Sequence, residues 1–154
     1  MNIIKAGLAT GVVGGALDII AAVTIYPAVY QSVTPQRVLQ SVAAGLLGRE
    51  AARAGGWGTA MLGLGAHFFI AICACFALVY AMSREETLRR LAPFTGAVFG
   101  LVMYYFMQTI VLPLSAAGGQ SAPDSKQLAL GLAIHIFIFG VPSALVARRF
   151  LSKG

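Results

Sequence analysis

Charge is what this sequence is short of. Its 154 residues include five acidic and 11 basic side chains, 10% charged against 58% hydrophobic, where an ordinary soluble domain carries about a quarter charged residues. So few charges exclude a solvated globular surface. Cysteine is nearly absent too: Cys73 and Cys75 are the two present. Lying two apart in an apolar run, they point in nearly opposite directions on a helix. That spacing excludes a shared metal or a helical disulfide and leaves buried, unreactive thiols. Catalytic motifs are missing as well. There is no Ser-x-x-Lys, no His-Glu-x-x-His, no phosphate-cradling loop and no ordered Ser, His and Asp set, so a non-enzymatic protein is expected. The net charge of +6 is not interleaved with aromatic residues on a solvated face, as a single-strand binder requires, so no nucleic-acid partner is expected. The basic residues sit at the ends of apolar runs, where anionic headgroups and the orientation rule favour them.

What is present is apolar sequence in runs longer than the roughly 18 residues that mark a membrane span. The runs cover 6–30, 58–82, 91–116 and 128–147, each reaching roughly 30 Å as a helix. The first is too long for a signal-peptide core, holds Asp18 at its middle and is not followed by a convincing small-x-small cleavage site, so it is kept as a span. The fold class is therefore all-α, an integral membrane four-helix bundle in one transmembrane domain over 1–154. Four spans put both termini on one side. Placing them inside leaves Lys5, Arg84, Arg89, Arg90, Arg148, Arg149 and Lys153 cytoplasmic, against Arg37, Arg49, Arg53 and Lys126 outside, and this majority favours cytoplasmic termini. The second connection, SREETLRR, reads as a plain cytoplasmic turn, and AAGGQSAPDSKQ as a mobile outer loop. In the first, Thr34 can cap and Pro35 can open a short helix over 35–47. Val38, Leu39, Val42 and Leu46 form its apolar face, with Arg37, Gln40 and Ser41 elsewhere on the surface, so it is expected to lie in the membrane interface.

The chain also repeats itself. LGLGAHFFI from Leu62 matches LGLAIHIFI from Leu130 in six of nine positions, and Thr-Gly-x-Val-x-Gly occurs at both Thr10–Gly15 and Thr95–Gly100, each in a span ending near a proline, Pro27 and Pro113. Two parallel two-helix repeats related by an axis along the membrane normal follow from this. Gly7, Gly11 and Gly15 in the first span, and Gly96 and Gly100 in the third, are spaced by four, which reads as helix-packing seams.

Ionisable side chains inside spans are costly, about 2.5 to 3.5 kcal/mol for Asp. Asp18, His67 and His135 fall at similar depth, with Tyr104, Tyr105 and Gln108 at a comparable level, and repeat symmetry turns the two histidines toward one axis. A polar knot, a transport or proton-relay centre, and a bis-histidine haem b or metal site all use these residues. For haem, Gly63 and Gly131, each four residues before a histidine, would leave room for a flat macrocycle. Met103 and Met107 would suit Cu(I) but read more simply as flexible packing. Pro113 and Pro142 can bend or end helices and free carbonyls.

HFFIAICACFALVY from His67, the charged turn after it, VLPLSA from Val111 and a last span with its own histidine together resemble the YagU-like family of small bacterial inner-membrane proteins. The GGALDI segment, Gly14 to Ile19, is similar to the opening span of a wider set of bacterial membrane proteins. The resemblance implies a bacterial cytoplasmic membrane and carries no reaction to Asp18, His67 or His135. The expectation is a transport, channel-like or accessory protein acting through an intramembrane Asp/His cluster. Its partners would be lipids and a homo-oligomer or larger membrane complex, and no resident cofactor is expected. A haem b redox protein and a purely structural subunit are the alternatives.

Overall fold

A computed structural model describes residues 2–118 and 123–152, and among them the ordered elements are all helices. Four are long and apolar enough to cross a membrane: α1 (Ile3–Val29), α4 (Gly56–Arg84), α6 (Ala92–Leu114) and α7 (Ser125–Leu151). Between α1 and α4 come α2 (Pro35–Leu47) and α3 (Arg49–Ala54), and α5 (Glu86–Arg90) joins α4 to α6. Lys153, counted on the cytoplasmic side, and the Gly-Gln-Ser-Ala centre of the last connection lie outside the described residues.

Start signals in the sequence place the helix beginnings. Asn2, Thr34 and Asp124 each accept a hydrogen bond from the backbone N–H three residues on, at 3.0, 3.2 and 2.8 Å, satisfying one of the donors a helix start leaves free. Gly48 joins α2 to α3 at φ 82°, a conformation that penalises a side chain with a Cβ. At the opposite end of the bundle, Arg89 Nη1 donates to the Met82 and Ser83 carbonyls, and Thr95 Oγ1 donates to the Leu88 carbonyl at 2.9 Å. These bonds tie the α4–α6 turn down from both sides.

Burial runs opposite to that of a soluble protein. Many of the most enclosed side chains are small, among them Ala6, Ala43, Ala52, Ala60, Ala92, Ala144 and Ala147, with Val79 and Met82 the larger apolar exceptions. Large apolar side chains point outward, as with Phe69 at 70% and Phe94 at 69% exposure. Helices in lipid gain nothing by hiding leucine or phenylalanine from an equally apolar solvent, so they associate where small residues let backbones approach. α1 packs against α4 and α7, and α6 packs against α7. A Cβ added at Gly11 would fall 2.6 Å from Ile72 Cα, one at Gly96 2.6 Å from Val141 Cα, and one at Gly100 2.8 Å from Ile136 Cα. Gly7 meets the Phe76 ring, and Gly15 meets Ala71 and Phe68.

α2 folds back across the end of the bundle and packs on α4 and α1. Its buried side chains are Leu39, Gln40, Ala43 and Ala44, a correction to the sequence reading that put Gln40 on the surface. The Gln40 amide donates to the Gly56 carbonyl at 2.9 Å and reaches Thr59 Oγ1 at 3.3 Å. It thereby ties α2 to the start of α4, which has no side-chain cap of its own. Leu46 points outward.

Both spans of the second half contain a widened π-helical turn, Met107–Val111 in α6 and Ile134–Gly140 in α7. Each ends two residues before a proline, Pro113 and Pro142. Proline offers no N–H and its ring crowds the carbonyl four residues back, so a wider turn ahead of it relieves the clash without breaking the span.

Replacing Gly96 with Val should destabilise the protein by at least about 1–3 kcal/mol, the usual cost of overpacking, because the new side chain meets backbone. Gly65 has open space where a Cβ would stand, so Gly65→Ala should be neutral or gain about 0.5–1 kcal/mol. Equilibrium unfolding in mixed detergent micelles measures both, and equal effects at the two sites would refute the seam.

Candidate functional site

Asp18 lies near the middle of α1, 9% exposed. Its position follows from spacing: Thr10, Gly14 and Asp18 recur every four residues and share one side of the helix. Gly14 on that side meets Ser143 and Phe139 of α7. One carboxylate oxygen, Oδ2, stands 4.0 Å from His67 Nε2 on α4. The other, Oδ1, is buried and has no hydrogen-bond partner among the described residues.

His67 reaches α1 at the next turn. Its Nε2 lies 2.9 Å from the Gly15 carbonyl oxygen, and since a carbonyl only accepts, Nε2 carries the proton. The ring therefore donates to the α1 backbone while the same nitrogen stands 4.0 Å from the Asp18 carboxylate. The ring of Phe68 lies edge-on to it at 5.6 Å.

His135 is built differently. Its Nδ1 lies 2.9 Å from the carbonyl oxygen of Gly131, one turn earlier on α7, so here Nδ1 is the donor. The Tyr104 ring stands edge-on to it at 5.4 Å, and that ring is the side chain that meets Gly131. Each histidine thus spends one nitrogen on a backbone carbonyl and faces its own neighbours, His67 with Asp18 and His135 with Tyr104.

The room that Gly63 and Gly131 were expected to leave for a macrocycle is taken by protein. Gly63 abuts the α2 backbone at Leu39 and Ala43, and Gly131 abuts Tyr104. Among the described residues no three His, Cys, Asp or Glu side chains are grouped to hold a metal ion. Met103 packs on the cluster of Ala71, Cys75 and Phe139. Tyr105 is 48% exposed toward the surroundings, and Gln108, half-buried in the widened turn of α6, stays apart from Asp18 and His67.

Three further polar features were missed from the sequence. Tyr26, two turns beyond Asp18 on α1, stacks on Tyr30 at 6.3 Å, and its spacing of eight residues puts it on the Asp18 side of the helix. Cys75 Sγ and Ser143 Oγ meet at 3.7 Å in the buried centre between α4 and α7. Thr10 Oγ1 is buried with no partner. Neither of the last two had a motif to announce it. Cys73 faces outward and Cys75 inward.

Comparison of the chain with protein-family models, with curated proteins and with solved structures gives no match.

Asp18→Asn replaces a buried ionisable side chain with a neutral amide of the same shape. It should raise the unfolding free energy by about 1–3 kcal/mol, because an acidic side chain at bilayer depth costs about 2.5–3.5 kcal/mol and an amide less. Unfolding in mixed micelles at neutral pH is the measurement, and a loss of stability would mean that the carboxylate is structurally paired.

Proposed function

We propose that this chain is a small, non-enzymatic multi-pass membrane protein whose working centre is the Asp18–His67 pair, serving transport of a cation, the proton included. The observation that carries this reading is the underbonded carboxylate: Asp18 Oδ1 is buried without a hydrogen-bond partner among the described residues, and Oδ2 stands 4.0 Å from His67 Nε2, beyond hydrogen-bond distance. At this depth a carboxylate kept for structure alone would hold hydrogen bonds. A carboxylate held open at bilayer depth is the arrangement that proton relays and cation carriers use, because it can take up a positive charge and release it.

The division into two parallel repeats is supported by matching contacts. The shift that carries Thr10 onto Thr95 carries Gly11 onto Gly96 and Gly15 onto Gly100. The shift that carries Leu62 onto Leu130 carries Ile72 onto Gly140 and Phe68 onto Ile136. Gly11 meets Ile72 and Gly15 meets Phe68, just as Gly96 meets Gly140 and Gly100 meets Ile136. Cys75 and Ser143, 68 residues apart, are related by the same shift and touch each other, as equivalent positions beside a twofold axis do.

Lys5, Arg84, Arg89, Arg90, Arg148 and Arg149 cluster at one end of the bundle in this topology, which supports cytoplasmic termini. The bacterial inner membrane is the setting implied by the resemblance to YagU-like proteins. An accessory role in a larger complex draws on a different observation. α6 is the least covered span, with 11% of its apolar window buried, and it presents Phe94, Val102 and Tyr105 outward.

In sealed vesicles under an imposed potential, the wild-type chain should raise proton or sodium flux above that of empty vesicles. Asp18→Asn should lower that flux at least about tenfold, a rise of roughly 1.4 kcal/mol or more in the transport barrier. Flux unchanged in a stably folded variant would leave the chain a scaffold.

A further inference from the structure

At the end of the bundle away from the termini, the turn leaving α1 and the helices α2 and α3 wall a hollow of about 300 Å³ lined by Ser32, Val33, Arg37 and Arg53. The hollow exists because Gln40 pulls the α2–α3 corner onto the start of α4, through the Gly56 carbonyl at 2.9 Å and the Arg53 carbonyl at 3.5 Å. That bond fixes the backbone of Arg53 opposite Arg37. Neither guanidinium has a carboxylate within ion-pair distance among the described residues. The one polar side-chain partner is Gln40 Oε1, 3.4 Å from Arg37 Nη1. An anion seated in the hollow would be attracted by both guanidinium groups at once.

The surroundings indicate which anion. The hollow lies level with the ends of α1 and α4, where Trp57 stands 63% exposed and where Tyr26 stacks on Tyr30 at 6.3 Å. Exposed tryptophan and tyrosine at span ends mark headgroup depth. Val33 lines the hollow itself, and Leu46 and Leu47 of α2 lie exposed on the same end. A ligand seated here therefore meets two guanidinium groups and a serine hydroxyl beside apolar surface. A phosphate carrying acyl chains offers both halves of that match, whereas free phosphate offers one. Guanidinium is suited to the first half because its fork donates to two phosphate oxygens at once.

We propose that Arg37 and Arg53 bind the phosphate of an anionic phospholipid headgroup in this hollow, with Ser32 as a further donor and the lipid chains running down beside α2. The site is independent of the Asp18–His67 pair, and it gives α2 and α3 a task that the transport reading does not use.

The test is native mass spectrometry and thermal melting of the full chain in an uncharged detergent, with phosphatidylglycerol, phosphatidylcholine or inorganic phosphate added in parallel. The wild-type chain should retain phosphatidylglycerol and melt higher with it than with phosphatidylcholine. Affinity should fall about fivefold for each arginine removed, in line with the usual strength of a basic residue at an anionic membrane surface. Arg53→Gln is the informative single variant, because the Arg53 side chain holds no other element in place, and Arg37→Gln/Arg53→Gln should abolish retention. Arg84→Gln, at the other end, should change nothing. Equal stabilisation by inorganic phosphate would overturn the lipid assignment. Undiminished retention by Arg53→Gln, or equal retention of phosphatidylcholine, would overturn the site.

Discussion

Hydrocarbon gives a polar atom no solvent to turn to, so every donor and acceptor inside the bilayer must find its partner within the protein. This chain meets the demand by different means at different depths. Along the spans, the helical backbone satisfies itself. At the span ends, Asn2, Thr34 and Asp124 close the helix starts, and Arg89 closes the end of α4 with two carbonyl contacts. Where α2 meets the next two helices, the Gln40 amide reaches the Arg53 carbonyl of α3 and the Gly56 carbonyl of α4. Against that background the few buried groups left unserved among the described residues stand out, and Asp18 Oδ1 is the carboxylate oxygen among them.

The same solvent decides how the helices meet. Without a hydrophobic drive between spans, association depends on the closeness of backbones. Gly11 therefore lies on Ile72, Gly96 on Val141 and Gly100 on Ile136. The two helix pairs are not copies in detail. The first pair carries Gly14 and Asp18 on α1, where the repeat shift places Phe99 and Met103 on α6. Phe99 instead stacks on Phe139 at 5.5 Å and Met103 packs beside it, so the second pair fills with apolar volume the space that the first leaves polar. Any chemistry that Asp18 performs happens once per chain.

Four helices of membrane length were legible because the apolar runs are long and the charges sit at their ends. The cap at Thr34 was legible because it uses a residue type with one local job. The depth of Asp18, His67 and His135 could be counted along the helices. Which partner each histidine chose could not be, since that depends on how the helices rotate about their own axes. His67 turned to the Gly15 carbonyl and His135 to its own helix. The expected space beside Gly63 vanished for the same kind of reason. A glycine shows that something comes close, and here the visitor was the backbone of α2. Gln40 escaped notice because a polar residue on an amphipathic helix ordinarily faces water.

The widened turns in α6 and α7 bear on how spans of this kind tolerate change. A π turn holds one residue more than the α-helical count, so it works as slack in an otherwise taut thread. Losing one residue from Met107–Val111 would tighten the coil without moving the helix ends across the bilayer, whereas the same loss from α1, which has no such reserve among its described residues, would rotate Asp18 away from His67. Length variation in this architecture therefore belongs to the second half, and strict spacing to the first.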